Sequence, residues 1–299
     1  MTVVSQSRNR EVDFALLIVA FFWGASYLAA KSLTEHAPVG AVLSIRFSIT
    51  TIAMFLIWLI KRDRFTRPEL VLGLGLGTLQ ALILYLETSG VARTTATNAG
   101  LIISLAIVLT PILESIASKN WLPRSFFIAT VVAVVGVMLL VSDKGFAKPG
   151  MGDWLMLGAA LVRAVHVTSM GHLTKGKSYS SVVITLLQSV ACACLFTLFS
   201  YKSALTAVRE FAPHQWYGAL FLSLLSGALA FLLTLWGIRR TSSSRASLLL
   251  GTEPVWAVIV GISFGGEKLV LLGAIGALLI VGSTYVGQNI EQRHRLGHS

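Results

Sequence analysis

Ten stretches of this chain are each apolar for long enough to cross a lipid bilayer as a helix, and no other feature restricts its fold as much. They cover residues 13–30, 38–60, 68–91, 95–117, 125–141, 153–173, 181–201, 216–238, 244–264 and 269–288. About 18 apolar residues in a row span the hydrocarbon core as a helix, with every backbone group bonded inside the segment. The runs are apolar on all sides and do not alternate, which sets aside a β-barrel. The links between them are too short to hold a soluble domain. Composition agrees, at 55% hydrophobic, 12% charged and a mean hydropathy of +0.77. A water-exposed domain carries about twice that share of charge. The first run follows Arg8 and Arg10 and ends in "LAAKS", as a signal peptide can, but its length favours a span.

Basic residues set the expected orientation. If the N-terminus and every second link face one side, that side collects fifteen of the 24 Lys and Arg. The other side collects seven, and Arg46 and Arg163 stay inside runs two and six. Lys and Arg concentrate on the cytoplasmic side, so both termini are expected there, in a plasma (bacterial inner) membrane. The net charge of +11 is then a topology signal that calls for no nucleic-acid partner. The basic link "KRDRFTR" also suits anionic lipid heads.

One polar phrase occurs twice. "GVARTTATNA" begins at Gly90 and "GIRRTSSSRA" at Gly237, 147 positions later. The first joins runs three and four and the second joins runs eight and nine, so five crossings separate them and place them on opposite faces. "AVVGVMLL" around Gly136 matches "LIVGSTYV" around Gly282, and Pro111 and Pro254 follow the two phrases. The spacing predicts an all-α membrane protein of ten transmembrane helices in two inverted five-helix repeats, residues 12–143 and 151–289. Inverted repeats of this kind build a midplane site with two access routes in secondary transporters.

The same residues carry a family resemblance. "FFWGASYLAAKSL" in run one, Arg46 after Pro38, the paired Ser/Thr phrases and "GGEKL" before run ten resemble the EamA type of the drug/metabolite transporter superfamily. The resemblance spans nearly the whole chain. It implies ten helices around a central cavity and export of a small metabolite, and members include aromatic amino-acid exporters of the YddG kind. One departure stands out: where the family commonly reads A-x-x-W-A, run six reads "ALVRAVH", with Arg163 in place of the Trp.

Ionisable residues in apolar runs are costly in lipid and mark cavities or partners. Arg163 lies near the middle of run six, and His166 shares its face at i+3. Glu253 lies mid-run just before Pro254, which lacks an N–H. These three are the expected polar centre, with a purely structural Arg163–Glu253 bridge as the competing reading. Gln80 and Glu87 are seven apart on one face of run three and are expected to line the cavity, whereas Tyr85 points away and packs. Trp23, Ser26, Tyr27 and Ala30 form a stripe on run one, and Trp256 stands near Glu253. Aromatic walls around an Arg suit an amphiphile with a carboxylate, which a guanidinium binds bidentately; core packing of the same aromatics is the plainer reading. Arg46 and Glu114 lie nearer run ends and are read first as snorkelling or structural ion pairs.

Other patterns carry no chemistry. Gly73 and Gly77 in "LGLGLG" are spaced for close helix packing, not for phosphate. Cys192 and Cys194 diverge on one helix, His166 and His172 lack a third metal ligand, and no ATP-binding motif occurs. No cofactor or metal is expected. The expected function is a secondary exporter of small organic metabolites, amino acids first and aromatic ones as the refinement. The expected partners are a small-molecule substrate and the bilayer. The alternatives are a proton-coupled multidrug exporter and an intramembrane enzyme, although no nucleophile and base stand at recognisable spacing.

Overall fold

The computed structural model describes residues 2–93, 102–141, 150–265 and 271–296, all of them helical or in short connections. The beginning of run four, Lys144, Lys148 and most of "GGEKL" lie outside the described residues. The helices are α1 (Thr2–Thr34), α2 (Val39–Lys61), α3 (Arg67–Val91), α4 (Ala106–Ser118), α5 (Arg124–Val141), α6 (Met151–Thr174) and α7 (Ser181–Glu210). They continue with α8 (Pro213–Arg240), α9 (Ser243–Leu250), α10 (Glu253–Gly265) and α11 (Leu271–Leu296). Seven helices among the described residues are long and apolar enough to cross a membrane, and α4 and part of α5 are shorter apolar helices.

Capping residues both start helices and join them. Thr66 accepts from the Glu69 N–H at 3.4 Å while Glu69 accepts from the Thr66 N–H at 3.0 Å, a capping box that begins α3. The second oxygen of Glu69 accepts the Ser180 N–H at 2.6 Å, and Asp63 accepts the Ser180 hydroxyl, so the entries to α3 and α7 share one end of the bundle. Arg239 donates to Lys177 O at 2.8 Å, and Arg245 pairs with Asp13 at 2.6 Å and Glu291 at 3.7 Å, adding the ends of α6, α8 and α11 to that face. At the opposite end, Gly90 lies against Met156 and Gly152, and Leu33 and Ala37 cluster with Phe211. α6 therefore runs from Gly90, where the first polar phrase begins, toward Arg239 of the second, and these two points sit at opposite ends, as their spacing predicts; residues 94–99 of the first phrase lie outside the described residues.

Small residues set the closest approach. A Cβ on Gly73 would sit 2.6 Å from the Leu187 Cβ, and one on Gly77 2.7 Å from the Gln188 Cα, so the paired glycines bring α3 against α7. Tyr85, on the opposite face, is 50% exposed and does not pack inside the bundle as expected. It faces outward among apolar neighbours such as Leu82, where the hydrocarbon would lie.

Run nine is not one helix. α9 ends at Leu250, Gly251 and Thr252 form a turn, and α10 restarts at Glu253. Pro254 has no N–H for the carbonyl four residues back, and Thr252 N turns instead to Leu249 O at 3.1 Å, the tighter three-residue spacing. Run four breaks too: Ile102 and Ile103 are helical, Ser104 and Leu105 turn, and Ile107 N bonds Ser104 O at 2.9 Å. Ser104 and Gly251 are the same 147 positions apart as the polar phrases. The breaks, not the prolines, are thus the equivalent points, because Pro111 lies inside α4 beyond its break. The two breaks touch, with Ser247 Oγ donating to Ala106 O at 3.1 Å.

The middle of α8, Phe221–Leu229, is π-helical. Its wider turn presents carbonyls to side chains of other helices: Leu222 O and Ser226 O accept from Arg46, Ser223 O from Thr50 and Ser226 O from Trp23.

Candidate functional site

A cavity opens where the broken helices, α1, α3 and α6 meet, with about 960 Å³ of unfilled space counting its mouth. Of the residues expected there, Trp23, Ser26, Gln80, Glu87, Arg163, His166 and Glu253 all line it.

Its centre is an ion triad. Arg163 Nη2 meets Glu87 Oε2 at 2.6 Å and Nη1 meets Glu253 Oε2 at 3.1 Å. The side chains are only 16%, 11% and 4% exposed, so water screens the triad little. The other Glu253 oxygen accepts the Tyr27 hydroxyl at 2.6 Å. Glu253 can stand there because the break makes it the first residue of α10, where a carboxylate faces the positive end of a helix. The guanidinium also lies over the Trp23 ring, 5.3 Å from its centroid. His166 Nε2 bonds Gln188 Oε1 at 3.2 Å. Ser26 donates to Trp23 O at 2.6 Å and Tyr27 serves Glu253, so both brace the site.

The triad contains the bridge that is the competing reading for Arg163, and adds Glu87 to it. With one nitrogen given to each carboxylate, Arg163 has no free fork to offer. Trp256 is not among the residues lining the cavity: it sits edge-on to Phe21 of α1 with centroids 5.5 Å apart, packing one helix against the other, which is the plainer reading of the aromatics.

Arg46 departs from its expectation as well. It is 6% exposed and lines the cavity, so it does not snorkel, and no carboxylate lies within ion-pair distance among the described residues. Its Nε donates to Leu222 O at 3.1 Å and its Nη2 to Ser226 Oγ at 3.2 Å. Phe47 and Phe231, stacked at 6.0 Å with planes 10° apart, flank it at 5.7 and 6.0 Å. Glu114 keeps a structural role near a helix end, accepting the Ser243 and Ser244 N–H groups at 3.2 and 2.6 Å as the cap of α9.

Gln188, Thr110, Ser104 and Ser247 also line the cavity, and the sequence does not single them out. Uncharged polar residues in apolar runs give a weak signal, since Ser and Thr are satisfied by their own helix carbonyls. Gln188 gives the stronger one, as an amide inside run seven.

The arrangement defines a class: a helical membrane protein of two repeats around an ionised, aromatic-walled cavity at paired helix breaks. The profile of the EamA-like transporter family matches residues 11–142 and 150–286, and the chain belongs to that family. An uncharacterized transporter of Archaeoglobus fulgidus is 27% identical over 270 residues, covering 90% of this chain and 83% of its own. The uncharacterized transporter YwfM of Bacillus subtilis is 26% identical over 89% of this chain and 90% of its own. A crystal structure covering 95% of this chain and 98% of its own superimposes with a TM-score of 0.75 at 18% identity, a likeness of fold.

Proposed function

We propose that this protein is a secondary transporter of ten spans that exports small organic metabolites, amino acids first among them, with aromatic ones as the favoured subset. One observation carries the reading: one buried cavity between the repeats presents cations (Arg46, Arg163), carboxylates (Glu87, Glu253) and aromatic faces (Trp23, Phe231) together. A zwitterion with an apolar side chain complements all three. Within it the triad satisfies its own charges, whereas Arg46 has no carboxylate within ion-pair distance among the described residues, a cost that a ligand carboxylate would offset.

Alternating access fits the same geometry. A second, polar vestibule, lined by Glu114, His172, Lys175 and Glu291, lies along α4, α6 and α9 nearer the end that carries both termini. The basic-residue bias makes that end cytoplasmic. Loosening the contacts between α4 and α9, the two broken helices, would join cavity to vestibule, and closing the other end would complete the cycle.

The test is counterflow in proteoliposomes against a panel of labelled amino acids. Accelerated uptake of phenylalanine or tryptophan into preloaded vesicles supports the full reading, and uptake of small amino acids alone removes the aromatic refinement. No exchange with any amino acid overturns the substrate class. A second reading has one observation in its favour, since two carboxylates serve one guanidinium and leave the triad with an excess negative charge. A proton-coupled exporter of hydrophobic cations would use that charge, and proton-driven flux of lipophilic cations in the same vesicles would select it.

A further inference from the structure

We propose that Arg46 and Gln80 form an anion subsite on the cavity wall that takes a carboxylate group of the transported molecule, a role the ion triad leaves Arg163 unable to fill. That the molecule is transported rests on the function proposed above; the anion subsite does not.

Two donors in this cavity lack what they need. Arg46 is buried at 6% exposure, and its bonds go to Leu222 O, Ser226 O and Ser226 Oγ. Those groups satisfy N–H donors but carry no charge, and no carboxylate lies within ion-pair distance of the guanidinium among the described residues. A buried cation of that kind costs several kcal/mol of hydration that dipoles and ring faces return only in part. Its Nη1 has no hydrogen-bond partner among them. Gln80 is 4% exposed, lines the same cavity, and its Nε2 has no acceptor among the described residues. Glu87, the acid on α3 two turns beyond Gln80, is engaged by Arg163 at 2.6 Å. One ligand group answers both needs, a carboxylate that offers charge and lone pairs to Arg46 and a further lone pair to the Gln80 amide.

The π-helical segment makes the subsite possible. Leu222 O and Ser226 O fix Nε and Nη2, which holds the guanidinium plane and leaves the remaining edge for the ligand. Phe47 and Phe231 flank the guanidinium and exclude water from it. The competing role, a structural tie between α2 and α8, uses only the two bonded nitrogens and says nothing of Gln80.

Calorimetry on the full-length protein in nanodiscs separates these roles with two probes. 3-Phenylpropionate has a carboxylate and no ammonium; phenethylamine has an ammonium and no carboxylate. We expect wild type to bind 3-phenylpropionate and Arg46→Gln to weaken it at least about tenfold, the scale of a hydrogen bond to a charged group. Arg46→Lys, which keeps the charge and loses the fork, should fall between. Gln80→Leu should weaken the acid severalfold, and phenethylamine should change by less than about twofold throughout. If Arg46→Gln is not monodisperse, Arg46→Lys and Gln80→Leu decide the question. The subsite is overturned if wild type does not bind the acid, if Arg46→Lys and Gln80→Leu both leave its affinity unchanged, or if both probes weaken equally. Counterflow separates the two proposals: a charge-selective loss at Arg46 without amino-acid exchange retains the subsite and removes the amino-acid reading. Amino-acid exchange indifferent to Arg46 and Gln80 does the reverse.

Discussion

Two carboxylates answer to one guanidinium at the centre of this protein, and the imbalance decides which single substitution does most harm. Arg163→Ala leaves Glu87 and Glu253 facing each other without their cation, at a cost on the order of 3–5 kcal/mol. Glu87→Gln or Glu253→Gln leaves one neutral ion pair, so each should cost clearly less, about 1–2 kcal/mol for the charged bond lost. Thermal unfolding of the three variants in detergent should show that order, and the double Gln variant should lose more than the two singles combined. Equal losses for all three would mean the triad does not share its charge. Trp23 tests a different property. Trp23→Ala should penalise phenylalanine and tryptophan over alanine by about 0.5–1.5 kcal/mol, the worth of a lost aromatic contact beyond its area. Equal losses in counterflow would confine Trp23 to holding Arg163.

Helix geometry explains why several sequence features are what they are. Gly24, in the "WGAS" of α1, has room for no side chain, since a Cβ would lie 2.6 Å from Glu253 O and 2.8 Å from Ala257 N. Those are backbone atoms and cannot swing aside. Gly251, in the break, would place its Cβ against Cδ1 and Cγ1 of Ile107, side-chain atoms and not backbone. Gly24→Ala should therefore destabilise by about 1–3 kcal/mol with no local rescue, whereas Gly251→Ala should be recovered in part by Ile107→Ala, which removes both side-chain atoms the new Cβ would meet. A melting-temperature double-mutant cycle checks both, and a rescue of Gly24→Ala by trimming Trp256 would contradict the backbone clash. Elements are legible in the sequence to the extent that hydrophobicity specifies them. All ten runs contain helix, and Gln80, Glu87, Arg163 and Glu253 can be found because charge and amides in an apolar run stand out. The break at Ser104–Leu105 has no proline to announce it, and the π-helical turn in "FLSLLSGAL" differs from an α-helix only in hydrogen bonding that composition does not encode. Trp256 stands one turn from Glu253 on the same helix yet packs edge-on against Phe21, because proximity along a helix does not say which neighbouring helix a side chain meets.

At the scale of the whole molecule, the two halves need the membrane to be read in opposite senses, and that can be measured directly. α6 begins beside Gly90 and ends beside Arg239, so the first residues of the two polar phrases lie at opposite ends of one helix whose length matches a bilayer. The side nearer the termini also holds Arg239, Arg240 and Arg245, against Arg93 at the far end, which is the asymmetry that orients short links. Ala92 and Arg240 are both exposed, while of the native thiols Cys192 is buried and only Cys194 is exposed. In a background where both native cysteines are Ser, Ala92→Cys should react with a membrane-impermeant maleimide in intact spheroplasts. Arg240→Cys should react only after the membrane is opened. Labelling of both from outside would break the inversion, because five crossings cannot return the chain to its starting side. Labelling of Arg240→Cys alone would keep the inversion and reverse the orientation, and with it the direction in which the polar vestibule faces.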